Sequence, residues 1–454
     1  MKPPGTPSDI EGGEQLSREL TTGQLGMIAL GGAIGTGLFL GSSLAVRTAG
    51  PGVILSYLFG AVIAALLMRS LTEMAVAHPA AGSFGVYAAI YLDPWAGFAV
   101  RYTYWAAQCV AIGGEAAAIA IYCQWWFPNT PKWLWILGFT IALLYINARN
   151  VGSFGSFEYW FAMIKVVAIV LFIVFGIALI TGAGSGHAIG FANLTAHGGF
   201  LAKGWSGVWM AMVFVIFSYI GTEVVAVTAG EAKDPEIALP KAIRSMAARL
   251  ILFYICAIFV LLCIVPWDEI QPGTDVTASP FVRVFQHVGV PAAAHLVNFV
   301  VITAAASSMN CNLYLVSRMM YSLARAGYAP ASWGQVSTVG IPLRALLISA
   351  AGLALAIVIA FFFPDSVFVY LFGVSLFGGL FTWLVIFVTH WFFRRRRGMA
   401  ADFGSLIGGA AVLAILLTTW VVPGMRITLI AGLPWMAILT GCYFLLAKGK
   451  RAPV

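Results

Sequence analysis

A run of glycines interrupts the first long apolar segment of the chain. Residues 31–41 read G-G-A-I-G-T-G-L-F-L-G, which includes five glycines. Because each glycine destabilises a helix by roughly 1 kcal/mol relative to alanine, we expect the helix to stop at about Ile34 and to restart at about Leu38. The restarting half would present unpaired N–H groups that suit a carboxylate, and the other half would present carbonyls that suit an ammonium. This chemistry fits the two charged ends of a free amino acid.

A second apolar segment, near the middle of the chain, is interrupted in the same way. From Phe217 it reads F-S-Y-I-G-T-E, which brings Gly221 and the acidic Glu223 into the middle of the segment. Inside a bilayer the backbone groups that a break releases must find partners other than lipid, so a broken span normally lines a cavity. Glycines four residues apart are also typical of close helix packing, and that alternative stands for the first break taken alone. The pair of breaks favours a transporter built from inverted repeats, with its ligand between them.

The composition predicts an all-α polytopic membrane protein. Hydrophobic residues make up 61% of the sequence and charged residues 9%, and the mean hydropathy is +0.93. Soluble domains carry about 25% charged residues, and the sequence lacks the alternation of membrane barrel strands. Segments long enough to cross a bilayer number about twelve. They lie at about 23–44, 52–77, 95–126, 133–149, 154–182, 205–230, 244–266, 291–323, 343–363, 367–392, 404–422 and 427–447.

These spans divide into two repeats and an appendage. The first five form a repeat over 23–182, and the next five form a second repeat over 205–392. A repeat with an odd number of crossings starts from the opposite side each time, so the second repeat is expected to be inverted. Two additional helices occupy 404–447.

The distribution of lysine and arginine predicts the orientation of the chain. Most of the 25 basic residues fall on the side of the N-terminus, so both tails, 1–22 and 448–454, are expected in the cytoplasm and the spans in the cell inner membrane. The run of arginines at 394–397 follows the same rule and does not require a nucleic-acid partner.

Enzyme and metal chemistry find no support in the residue pattern. The six cysteines form no C-x-x-C pair, and the six histidines show no zinc-ligand spacing. Leu40 stands where a dinucleotide-binding fingerprint needs its last glycine. We therefore expect neither a metal nor an organic cofactor, and no enzymatic activity.

Three charged residues lie deep within the spans, away from their ends: Lys165, Glu223 and Glu115. Each charge costs about 2.5 to 3.5 kcal/mol on insertion scales, so each needs a reason. Glu223 could shuttle a proton or accept backbone N–H bonds in the unwound segment. Glu115 could serve the ligand, or be a protonated acid hydrogen-bonded to a neighbouring span. Arg69 and Glu73, one turn apart at the end of the second span, predict a local ion pair and an inner gate.

Ordered motifs follow one another along nearly the whole chain. They are GGAIGTGLFLGS from Gly31, AGP at 49–51, MRSLTEM at 68–74, QWWFP at 124–128, FEYWFAMIK at 157–165, GEAKDPEIALPKAI at 230–243, SPF at 279–281 and SRMMYSLARAGYAP at 317–330. With these motifs the chain resembles bacterial amino acid permeases of the amino acid-polyamine-organocation superfamily. The branch it resembles is that of the aromatic amino acid, proline, GABA and D-serine/alanine/glycine permeases.

The resemblance implies a fold and a mechanism. The fold is the five-plus-five inverted repeat of the bacterial leucine transporter, with the first and sixth helices broken, and the activity is amino acid uptake driven by the proton gradient. Lys165 becomes the counterpart of a lysine that occupies the second sodium site of sodium-coupled relatives, with Ser307 or Ser308 facing it. Glu115 and Glu223 match acids of the third and sixth spans of relatives.

The expected sites follow from the breaks and the resemblance together. Substrate binding is expected of Ala33, Gly35, Thr36, Gly37, Phe217, Ser218, Ile220 and Glu115. Proton coupling is expected of Lys165, Glu223, Glu115, Ser307 and Ser308, and gating of Arg69 and Glu73. Packing is expected of Gly31, Gly32 and Gly41.

The resulting hypothesis is a proton-coupled importer of free amino acids, with neutral substrates favoured, that works by alternating access. The protein would be a monomer or a weak homodimer. A sodium-coupled symporter and an amino acid exchanger of the same fold remain alternatives, as does a non-transporting amino acid sensor. Glu115 also leaves GABA or a cationic substrate open.

Overall fold

The structure, a computed structural model, describes residues 20–449 apart from positions 81, 150, 184–187, 232, 234, 271–278, 290, 351–357 and 359–366. The expected tails at 1–22 and 448–454 and the expected ninth span at 343–363 therefore lie largely outside the described residues.

The regular secondary structure of the described chain is helical. The helices are α1 (Thr22–Ala33), α2 (Ser42–Ala49), α3 (Val53–Ala77), α4 (Ser83–Tyr91), α5 (Pro94–Gln124), α6 (Lys132–Ala148), α7 (Val151–Thr181), α8 (Asn193–Ala196), α9 (Gly204–Tyr219), α10 (Val224–Val227), α11 (Pro235–Ile264), α12 (Pro280–His287), α13 (Pro291–Arg325), α14 (Val367–Arg396), α15 (Phe403–Thr418) and α16 (Ile427–Gly449).

Many of these helices suit a membrane by length and composition. Seven segments of the described chain are long and apolar enough to cross a bilayer, and the first, Thr22–Ala77, contains two of the expected spans. Helices α6 and α15 and the Arg249–Ile264 part of α11 are apolar but shorter. The expected all-α membrane fold is confirmed.

The first break lies where the glycine run predicts it. Helix α1 begins with a capping box between Thr21 and Gln24. It ends at Ala33, because Ile34 leaves the helical region with φ −87° and ψ 88°. The chain resumes as a π-helical turn at Gly37–Gly41 and then as α2. The stop agrees with the expected position, whereas the restart comes slightly earlier than Leu38.

The second break is also present, and it packs against the first. Helix α9 ends at Tyr219, Ile220 is extended, and Gly221 has φ +106°, a conformation that side chains disfavour. A Cβ at Gly221 would come within 2.5 Å of the Gly32 carbonyl oxygen. Both glycines are therefore needed for the backbones to touch, which agrees with the packing role expected of Gly32.

The remaining helices hold these breaks in a packed bundle. Helix α5 packs extensively against α13 and α14, and α1 packs against α7, α11 and α13. We call the end of the bundle where α1 begins the basic end, because the Leu20 N–H bonds there to the Glu231 carbonyl, and the Glu231 carboxylate pairs with Arg318 near the end of α13.

Candidate functional site

A cavity lies between the two helix breaks. Its walls come from both broken spans and from α5, α13 and α14. The lining residues are Gly32, Ala33, Gly35, Gly37, Gln108, Ala111, Glu115, Phe217, Ile220, Gly221, Ser308, Asn312 and Ser375. The expected substrate residues Ala33, Gly35, Gly37, Phe217, Ile220 and Glu115 are thus brought together.

Aromatic side chains lie next to residues of the cavity wall. The ring of Phe217, which lines the cavity, packs on that of Phe372, with centroids 4.0 Å apart. Tyr104 and Trp383 meet at Glu223, two residues after the lining residue Gly221. Ser375, which also lines the cavity, lies between Phe372 and Trp383 along α14.

The Glu223 carboxylate anchors the second break. Its two oxygens lie 3.1 and 3.0 Å from the Gly221 nitrogen, whose N–H they accept. The Tyr104 hydroxyl donates to Oε1 at 2.9 Å and the Trp383 indole donates to Oε2 at 3.2 Å. Helix ends that lack intrahelical partners need such acceptors. This geometry fits the anchoring role, and a proton shuttle through this acid stays a prediction.

Lys165 fills the gap that the first break leaves in the α1 hydrogen bonds. In a continuous helix the Gly35 N–H would bond to the Gly31 carbonyl. It bonds instead to the Ala33 carbonyl. The fully buried Lys165 Nζ donates instead to the carbonyls of Gly31 at 2.6 Å and Ile34 at 2.7 Å. An ammonium thus satisfies carbonyls released by the break, and it joins α7 to α1.

Glu115 connects α5 to both the first break and α13. Its Oε1 accepts a hydrogen bond from Ser308 Oγ at 3.0 Å and from the Thr36 N–H at 3.4 Å. Its Oε2 is buried beside the cavity without a hydrogen-bond partner in the described structure. A buried acceptor without a donor costs roughly 1 to 3 kcal/mol, so this oxygen is ready for a proton or a ligand donor.

The two serines of α13 bind carboxylates. Ser308 donates to Glu115, and Ser307 donates to Glu158. The ammonium of Lys165 has the Gly31 and Ile34 carbonyls as its acceptors. The expected position of Ser307 or Ser308 opposite Lys165 stays a prediction.

Several residues of the site were missed from the sequence. Gln108, Asn312 and Ser375 place polar side chains on the cavity wall. Gln108 could have been found, because it lies seven residues before Glu115 and so on the same face of α5. The hydroxyl oxygen of Tyr254 lies 2.8 Å from the carbonyls of both Ala33 and Ser218, and it links the breaks without any local sequence signal.

The expected ion pair between Arg69 and Glu73 is wrong. Arg69 Nη2 lies 3.5 Å from Asp402 Oδ1, whereas Glu73 accepts hydrogen bonds from Arg394 Nη1 at 2.8 Å and contacts His390 Nε2 at 2.8 Å. The α14 side chains are partly or fully buried and approach Glu73 directly, while the Arg69 side chain is 62% exposed. Tertiary contacts therefore replace the local pair.

Asp402 lies in the link between α14 and α15. Burial acts to raise the pKa of its carboxyl, but the hydrogen bond from Ser405 and the charge of Arg69 outweigh burial and hold the pKa below its usual value. The carboxylate therefore stays charged and pairs with Arg69.

The two arginine contacts predict different stabilities. Replacing Glu73 by glutamine should lower the free energy of unfolding by about 1.5 to 3 kcal/mol, because it removes a charged acceptor from Arg394. Replacing Arg69 by glutamine should cost less than about 1 kcal/mol, since the Arg69 side chain of this pair is exposed. Thermal melting of the detergent-purified protein measures both. Equal shifts in melting temperature would contradict the assignment of partners.

Known proteins match the chain over nearly its whole length. A family model described as amino acid permease matches residues 24–451. The chain is 38% identical over 450 residues to a probable threonine/serine transporter of Bacillus subtilis, with 96% of each chain covered. It is 39% identical over 453 residues to the aromatic amino acid transport protein of Escherichia coli K12, with 97% of this chain and 98% of the relative covered.

A solved structure shares the fold. The chain is similar to a manganese transporter of Eremococcus coleocola with a TM-score of 0.61 and 10% identity, covering 97% of this chain and 98% of that one. At this identity the likeness concerns the fold alone. The sequence matches show the family as well, because they extend over both breaks and every helix that lines the cavity. The chain belongs to the amino acid permease family.

Proposed function

We propose that the protein is a secondary active transporter that imports neutral amino acids together with protons by alternating access. The observation that carries this proposal is the cavity between two helix breaks, with the Lys165 ammonium bound to the carbonyls of the first break. A free amino acid needs both an anion site and a cation site. Broken helices supply both without charged side chains.

The breaks suggest how the substrate is held. Its carboxylate would meet the N–H groups at Gly35, Thr36 and Gly37, where the restarting helix has a positive end. Thr36 would then exchange its long bond to Glu115 for the substrate. The ammonium would meet the carbonyls at Ala33 and at 217–220 of the second break. Phe217, whose ring packs at 32° to that of Phe372, would cover the bound molecule.

The wall of the cavity favours an uncharged substrate side chain. Glu115 is the charged group among the lining residues, and the polar groups of Gln108, Asn312 and Ser375 are neutral amides and a hydroxyl. A charged side chain would therefore lack a matched partner unless Glu115 supplied it. The unpartnered Oε2 of Glu115 favours GABA or a cationic amino acid as the second candidate.

Proton coupling would act through Lys165. Protonated, the side chain fastens α7 to the end of α1. After loss of the proton the amine would bind the two carbonyls more weakly, and α1 could move with its bundle. We favour the proton over sodium because the ammonium already occupies a cation position between the helices. No cofactor is required.

The orientation and state of assembly complete the proposal. The basic end faces the cytoplasm of the cell, since basic residues collect on that side of an inner-membrane protein. Arg69 and Glu73, at this end, belong to the inner gate through their contacts with Asp402 and Arg394. The protein would act as a monomer or a weak homodimer.

Reconstitution tests the proposal directly. The purified full chain in liposomes would be given a panel of labelled amino acids under an imposed proton gradient, sodium gradient or neither. We expect accumulation of at least one neutral amino acid with the proton gradient alone. Accumulation only with sodium would overturn proton coupling, exchange without accumulation would indicate an exchanger, and binding without transport would indicate a sensor.

A further inference from the structure

We propose that Glu158 is a second proton-carrying residue, which takes the proton from Lys165 and releases it to the cytoplasm. The proposal rests on the proposed proton coupling through Lys165. Glu158 lies on α7 seven residues before Lys165, hence on the same helix face and about 10 Å nearer the basic end. It is fully buried, and no role for it followed from the sequence.

The surroundings of Glu158 are built for a carboxylate. Ser307 Oγ donates to Oε1, and Asn310 Nδ2 donates to Oε2 at 3.0 Å. The Asn310 amide is held in this direction because its Oδ1 accepts a hydrogen bond from Asn147 Nδ2 at 2.7 Å. Two donors on α13, one of them oriented by α6, therefore point at the acid.

Gly31 of α1 connects Glu158 to Lys165. The Gly31 carbonyl accepts the hydrogen bond from Lys165 Nζ at 2.6 Å. On its other side, a Cβ at Gly31 would collide with the Glu158 carboxylate, so the acid lies directly against the glycine backbone. Gly31 thus contacts both the Lys165 ammonium and the Glu158 carboxylate, and it shields them together.

The groups that face Glu158 from its neighbours set its proton chemistry. Lys165 contributes its positive charge from the same helix, and Cys311 contributes a thiol from α13. Helix α1 presents the backbone of Gly31. Lys165 is therefore the cationic group near Glu158 that can supply it with a proton.

Transfer of the proton would release α1. An N–H bond of the ammonium breaks and an O–H bond forms on the Glu158 carboxylate, with a water carrying the proton between the two side chains, which leaves a neutral amine and a neutral acid. The amine then binds the Gly31 and Ile34 carbonyls more weakly, and α1 withdraws towards the cytoplasm. Glu158 loses its cover at the same time and gives its proton to water at the cytoplasmic side, which restores the carboxylate.

The test separates proton transfer from a structural role. The full chain is reconstituted as wild type, Glu158→Gln, Glu158→Asp and Glu236→Gln. The glutamine variant keeps the size and hydrogen-bonding capacity of the side chain but cannot carry a proton. Glu236 is exposed near the basic end at the start of α11, so its variant is a matched control for loss of one carboxylate. Each variant is assayed for exchange of labelled against unlabelled substrate at equal pH, and for accumulation driven by a proton gradient.

We expect Glu158→Gln to keep exchange while accumulation falls to the level measured without a gradient. Glu158→Asp should restore part of the accumulation, and Glu236→Gln should match the wild type in both assays. Wild-type accumulation by Glu158→Gln would overturn the relay, and so would an equal loss of exchange and accumulation in both the Gln and Asp variants. Absence of proton-driven accumulation in the wild type would instead overturn the proposed coupling itself.

Discussion

Replacement of Lys165 by alanine should abolish accumulation of substrate under a proton gradient. The change removes the group that we propose to bind and release the proton. It also leaves the carbonyls of Gly31 and Ile34 buried without their donor, at a cost of about 1 to 3 kcal/mol each. Labelled-substrate uptake into liposomes measures the first effect, and the melting temperature of the purified protein measures the second.

Two further variants sharpen the Lys165 test. Lys165→Arg keeps the charge but cannot release a proton at physiological pH, so it should retain more stability than alanine while losing accumulation. Lys203→Ala removes a lysine that contacts the Trp267 ring outside the broken spans and should accumulate substrate normally. Full proton-driven uptake by Lys165→Ala would exclude this lysine as the coupling group.

Alanine at Gly221 should abolish substrate transport by displacing one break from the other. At φ +106° a side chain is strained by roughly 1 to 2 kcal/mol, and its Cβ would also approach the Gly32 carbonyl oxygen to 2.5 Å. The broken helices cannot separate without moving the backbone that bounds the cavity. Transport in liposomes should fall more than thermal stability.

A matched glycine in α1 controls for the loss of backbone freedom. A Cβ at Gly26 would meet nothing within 4 Å, so Gly26→Ala should leave transport unchanged and stabilise the helix by up to about 1 kcal/mol. If Gly221→Ala transported as well as Gly26→Ala, the close approach of the two breaks would not be needed for function.

Several features of the site follow from neighbours along the chain. The end of α1 at Ala33 was predictable because glycines lower the stability of a helix whatever its tertiary contacts. The break at Gly221 was predictable for the same reason, with Glu223 close enough to accept its N–H. The depth of Lys165 in its span follows from counting residues along an apolar helix.

Other features depend on which helices meet. The four-residue spacing of Arg69 and Glu73 favoured a local pair, but His390 and Arg394, more than 300 residues away in sequence, reach Glu73 instead. In the sequence, Glu158 is an acid near the end of a span. In the fold, α13 brings Ser307 and Asn310 into hydrogen-bond contact with it.

Local composition therefore predicts where a membrane helix must break and which charges lie too deep to reach water. These properties arise from backbone strain and from the cost of burying charge, both of which act within one helix. The partners of Glu73, Glu158 and Tyr254 come from other helices, because hydrogen bonds in a membrane interior form between whichever donors and acceptors packing brings into contact. Only the packed bundle decides those partners, and with them the polar wall of the cavity.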